Sequence, residues 1–89
     1  MEYKLIIFND NVNEFDYVAQ ALMDCVGCDV TQAEIAVRLV DRYGYYSIAT
    51  YTNKKEATED LSNLVTSGID CDLMTVKQYE KFVARVEKK

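Results

Sequence analysis

Histidine is absent from this 89-residue chain. Its absence removes the side chain that most often acts as a general base near neutral pH, and the commonest zinc ligand. Binding is therefore expected rather than catalysis, with no cofactor. Proline is absent too, and there are three glycines, Gly27, Gly44 and Gly68. The chain has no proline-rich linker, repeat or low-complexity stretch, and the glycines divide it cleanly. No apolar run is long enough to span a bilayer. The opening Met1-Glu2-Tyr3-Lys4 lacks the basic-then-apolar layout of a signal peptide. A cytoplasmic location follows as the default, and no membrane partner is expected. Cysteines number three, Cys25, Cys28 and Cys71, an odd set that makes a poor disulfide framework and fits a reducing compartment.

Basic residues are in short supply. Ten Lys and Arg face fifteen Asp and Glu, for a net charge of −5. The pairs Lys54-Lys55 and Lys88-Lys89 are scattered, so a phosphate backbone would be repelled and nucleic acid is not an expected partner. What is present is ordinary for a globular protein: 49% hydrophobic and 28% charged residues, enough for one domain. A chain of this length buries roughly 60–65% of its unfolded surface, so the core is modest.

The β-branched and aromatic run Tyr3-Lys4-Leu5-Ile6-Ile7-Phe8 predicts a strand with Tyr3, Leu5 and Ile7 on one face. Asn9-Asp10-Asn11 breaks it. Asn13 is expected to cap a helix, with Asp16 completing a weak capping box. Phe15, Val18, Leu22 and Val26 recur at helical spacing, and Tyr17, Ala21 and Cys25 widen the stripe. Gly27 fits the left-handed position after the helix. Thr31-Gln32-Ala33-Glu34 reads as a capping box for a second helix, whose Ile35, Val37, Leu39 and Val40 predict burial on more than one side. Gly44 ends it, and the uncharged Tyr45–Tyr51 segment predicts a strand. Asn53-Lys54-Lys55-Glu56 is a third capping box. Ala57, Leu61, Leu64 and Val65 follow, and Gly68 closes that helix. Cys71–Val76 predicts a short strand, and Tyr79, Phe82, Val83 and Val86 a C-terminal amphipathic helix. The order βααβαβα predicts an α+β two-layer sandwich: a small three-stranded sheet with helices on one face. Residues 1–76 form the βααβαβ core, and residues 77–89 add a helix to the same domain.

Cys25-Val26-Gly27-Cys28 is a CxxC motif, but it falls at a helix C-terminus, where the dipole opposes thiolate formation. Zinc would need two further ligands, with only Cys71 and carboxylates to supply them. Core cysteines around a glycine cap are the simpler reading. Asp10, Asp16, Asp41, Asp70 and Asp72 show no spacing that singles out an acid/base pair. There is no Gly-rich phosphate loop. Tyr43, Tyr45 and Tyr46 cluster beside Gly44, as either strand packing or an aromatic binding surface. Phe82 and Val86 read as core packing rather than a docking stripe. Asn9-Asp10-Asn11 alone reads as a turn before a helix.

Taken together, the strand ending Phe8-Asn9-Asp10-Asn11, the helix opening at Glu14-Phe15, Gly44 and Tyr51-Thr52 resemble the ClpS adaptor family over about residues 3–76. That family's signature is a strand ending Asn-Asp-Asp, then Thr-Pro and a helix. Here the second acid is Asn11, and Thr-Pro becomes Asn13-Glu14. The resemblance implies an adaptor that binds the N-terminal residue of a substrate protein and delivers it to a Clp-type AAA+ ATPase, as a monomer. It implies α-amine binding by Asn9 and Asp10, with Asp41 where the family carries a histidine. It also implies a pocket lined by Phe15, at a rim position held by methionine in the family, and by Val37, Val40 and Leu73. The alternative is an interaction domain that kept the fold and lost amino-acid recognition. A structural likeness to the C-terminal domain of the ribosomal stalk protein ranks lower, because its basic, Gly- and Ala-rich helical surface is missing.

Overall fold

A computed structural model describes residues 1–9 and 12–87. Strand β1 (Tyr3–Phe8) is the centre of a three-stranded antiparallel sheet of order β2-β1-β3, with β2 at Tyr45–Tyr51 and β3 at Cys71–Thr75. Its central place explains its composition. Leu5, Ile6 and Ile7 are all buried, so both faces of the strand are covered. Leu5 and Ile7 join the main core, where Leu73 and Cys71 stand opposite them on β3. The register of β2 shifts between Leu5, paired with Ala49, and Ile6, paired with Ser47. Ile48 is the extra residue of this bulge, which lets Tyr46, Ile48 and Tyr51 all pack on the core side.

Helices α1 (Phe15–Val26), α2 (Val30–Tyr43) and α3 (Lys54–Thr66) cover the Leu5/Ile7 face. This is the expected two-layer core in the expected order. The fourth helix, α4 (Val76–Glu87), packs on the opposite face. There Phe82 meets Phe8 and Tyr45 edge-to-face at 5.9 and 5.0 Å, and Lys4 Nζ lies 5.6 Å from the Tyr79 ring. The alternation of β1 dictates this split, since Lys4, Ile6 and Phe8 point away from Leu5 and Ile7. No helix among the described residues is long and apolar enough to cross a membrane.

Local details depart from sequence expectation in four places. Asn13 does not cap α1. Glu14 occupies the cap position without a side-chain bond, while Asn13 Nδ2 donates to the Gly68 carbonyl at 2.9 Å. Helix α2 starts at Asp29 rather than Thr31. Asp29 Oδ1 accepts from the Gln32 amide at 2.8 Å, and Gln32 Oε1 accepts from the Asp29 amide at 3.1 Å. Its buried face is Ala33, Ala36, Val37 and Val40, whereas Ile35 is exposed. The helix is thus buried on one side, through small residues. Asn53 caps α3 as expected, accepting from Lys55 and Glu56. A capping box that the sequence reading passed over opens α4: the Thr75 hydroxyl accepts from the Gln78 amide, and the Gln78 side chain accepts from the Thr75 amide.

Candidate ligand-binding pocket

The end of β1 is clamped between two loops. The Phe8 amide donates to the Asp70 carbonyl at 2.9 Å, and the Asn9 amide to the Gly44 carbonyl at 3.0 Å. Asn13 reaches the Gly68 carbonyl from the third side. The chain therefore leaves the sheet from a fixed point, and Asn9 begins from a backbone held in place. Gly44 takes φ 90° and ψ −13°, a left-handed conformation, and its own amide returns to the Val40 carbonyl at 2.7 Å. One residue thus ends α2 and anchors the corner. A Cβ there would meet no neighbouring atom, so substitution costs backbone strain alone. Gly44→Ala is expected to lower stability by about 1 kcal/mol, or roughly 4–8 °C in Tm, in a thermal melt followed by circular dichroism.

At this corner opens a cavity of about 320 Å³, lined by Phe8, Asn9, Asn13, Phe15, Val18, Val37, Val40, Asp41 and Ile69. Its size is at the lower end for small-ligand sites. The first turn of α1 supplies Phe15 and Val18, and the last turns of α2 supply Val37, Val40 and Asp41. The segment before β3 supplies Ile69. Val37, Val40 and Ile69 are buried and form an apolar floor. Phe15, 40% exposed, stands at the rim. Asp41 is the one charged side chain among the described lining residues. It lies in the last turn of α2, where unpaired carbonyls already carry about half a negative charge. The pocket mouth is thus electronegative by two additive sources, while its floor is hydrophobic. Such a combination suits a cation attached to an apolar group.

Five positions read from the sequence, Asn9, Phe15, Val37, Val40 and Asp41, meet at this one cavity although they come from three separate stretches of chain. Asp10 lies outside the described residues. Leu73 does not line the cavity; it pairs with Leu5 on the core side of β3. Ile69 supplies the apolar wall expected of Leu73, because the chain passes the cavity before it enters the strand. Phe8, Asn13 and Val18 are further lining residues that sequence reasoning missed. Helical spacing does hold a signal for Val18, one turn beyond Phe15 on the same face.

The cysteines stand apart from this site. Burial, then the Asp29 charge, raises the Cys28 pKa. Burial, with Asp70 and Asp72 nearby, pushes that of Cys71 up to about 11. Both environments oppose the thiolate that redox or metal chemistry needs. Among the described residues, no three Cys, Asp or Glu side chains gather closely enough to hold a metal ion.

A family model described as ATP-dependent Clp protease adaptor protein ClpS matches residues 1–71. Among solved structures, that of ClpS2 from Agrobacterium tumefaciens bound to L-phenylalaninamide is similar to this chain with a TM-score of 0.69. Sequence identity is 14%, and the match covers 83% of this chain and 95% of that one. At that identity the likeness speaks for the fold alone. No curated protein matches the sequence.

Proposed function

The chain belongs to the ClpS family of Clp protease adaptors, proteins that are not enzymes, and from that premise we propose that its corner pocket binds the N-terminal residue of a substrate protein for delivery to a Clp-type AAA+ ATPase. The observation that carries this reading is the meeting of Asn9, Phe15, Val37, Val40 and Asp41 at one cavity. An α-ammonium donates three N–H bonds. In the proposed complex the Asn9 side-chain oxygen and the Asp41 carboxylate accept from it, and Asp10 is the third proposed acceptor. Charge-assisted bonds of this kind contribute about 1.5–3 kcal/mol each before solvent screening. The first side chain of the substrate then settles on Val18, Val37, Val40 and Ile69. Burying a Leu or Phe side chain there adds roughly 1.5–3 kcal/mol. L-Phenylalaninamide, the ligand of the similar ClpS2 structure, carries the same two features, a free α-amine beside an apolar ring. In this reading the adaptor acts as a monomer.

The test is fluorescence anisotropy with a labelled peptide that begins with free Phe or Leu, against its N-acetylated twin. The free peptide is expected to bind more than about tenfold tighter, because acetylation removes the charge and two of the three donors. Equal binding of both peptides would sink amine recognition. Binding of neither, together with capture of a Clp-type ATPase, would favour an adaptor without the amino-acid pocket.

A further inference from the structure

A second cavity, of about 390 Å³, opens between α4, the start of β2 and the end of α2. Its lining is Leu39, Tyr43, Tyr45, Tyr46, Tyr79 and Glu87. Among the described lining residues are four phenol rings and one carboxylate, and no basic side chain. Tyr79 and Glu87 lie beyond residues 1–71, the span that the family model matches, so the groove depends on the appended helix. It shares no described lining residue with the corner pocket.

Two of these rings already receive cations from outside the groove. The Arg42 guanidinium carbon lies 5.5 Å from the Tyr43 ring centre and Lys4 Nζ 5.6 Å from that of Tyr79. Neither cation lines the groove. Both distances fall within the range in which the negative face of an aromatic ring attracts a positive charge. Tyr45 is braced edge-to-face on Phe82 at 5.0 Å, which fixes its ring. Burial and the Glu87 charge both raise the Tyr45 and Tyr79 pKa values, so these phenols stay neutral and keep their hydrogens. The net charge of −5 draws cations toward the surface as a whole.

We propose that this groove binds a guanidinium group, the arginine side chain of a basic partner segment. Arginine fits better than lysine for two physical reasons. Its plane stacks on rings while its edge donates to a carboxylate, and it is less strongly hydrated than an ammonium. Tyr43, Tyr45 and Tyr79 supply the faces, and Glu87 supplies the carboxylate.

N-acetyl-L-arginine amide is the probe, since its blocked amine removes it from competition for the corner pocket. Titration is followed by the aromatic NMR signals of the tyrosines. Shifts are expected at Tyr43, Tyr45 and Tyr79. The neutral isostere N-acetyl-L-citrulline amide is expected to bind at least about threefold more weakly. Tyr43→Leu, which alters an exposed ring, and Glu87→Gln are each expected to weaken the arginine probe by about threefold. Equal binding of the citrulline probe, unmoved tyrosine signals, or unchanged affinity in both variants would overturn the proposal. Equal binding of N-acetyl-L-lysine amide would overturn the choice of guanidinium.

Discussion

Leu22→Ala is expected to cost the fold about 2–5 kcal/mol, the range for removing a fully buried leucine. Leu22 has no exposed surface and belongs to the cluster that joins α1 to Leu5 and Ile7 of β1 and to Ala33, Ala36, Val37 and Val40 of α2. Its partners on α2 are mostly small, so few side chains can move into the space it leaves, and the cavity term stays large. Single domains are stable by only about 5–15 kcal/mol in total, so this one change removes a substantial share. In urea unfolding followed by circular dichroism, the midpoint is expected to fall by more than about 1 M with a similar slope. Val65→Ala serves as the control. Val65 is 56% exposed on α3, and its loss is expected to change stability by no more than about 0.5 kcal/mol. A cost for Leu22→Ala as small as that of Val65→Ala would contradict the packing described above. The change also bears on the corner pocket, because Leu22 fixes the helix that presents Phe15 and Val18.

Element order was legible in the sequence because its punctuation is local. Gly27 and Gly44 take left-handed conformations directly after their helices, and Gly68 does so one residue beyond the Ser67 cap. Their meaning does not depend on the rest of the fold. Helix starts were less legible, because two boxes compete within a few residues. Thr31-x-x-Glu34 and Asp29-x-x-Gln32 both satisfy the pattern. The chain uses the earlier one, which follows directly on the turn at Gly27 and Cys28. Ile35 misled for another reason. Large apolar residues draw attention, yet the buried face of α2 is Ala33, Ala36, Val37 and Val40, and Ile35 is left outward. The side of the sheet that α4 covers was hidden in the alternation of β1. A strand with Leu5, Ile6 and Ile7 in succession needs cover on both faces, and that requirement was there to be read.

The corner pocket was legible only through family resemblance. Nothing local ties Asn9 to Asp41, thirty-two positions later, because the link is tertiary: the Asn9 amide on the Gly44 carbonyl brings the end of α2 to the end of β1. Leu73 shows the same limit in reverse. Its apolar character suits either a pocket wall or the core, and only the register against Leu5 decides for the core. Ile69, two residues before the strand, has no sequence feature that distinguishes it from any other apolar residue beside a glycine.

Asp41→Ala is expected to weaken binding of a peptide with a free N-terminal Phe or Leu by about tenfold, at the lower end of the range for a charged hydrogen bond. The lower end applies because Asp41 is exposed, so water and salt screen its charge. The acetylated twin is expected to be indifferent to the substitution, since it presents no ammonium. Salt dependence gives a second readout. Raising ionic strength is expected to weaken the free peptide on the original protein and to matter less on Asp41→Ala. Stability should move the other way. A carboxylate in the last turn of α2 opposes the helix dipole, so removing it is expected to raise the unfolding midpoint slightly. A folding role for Asp41 would make binding and stability fall together. A binding role makes them diverge, and Asp41→His, which places here the residue that the family resemblance implies, is expected to retain measurable affinity for the free peptide. Unchanged affinity in Asp41→Ala would remove this carboxylate from the site and leave Asn9 and Asp10 as the proposed acceptors.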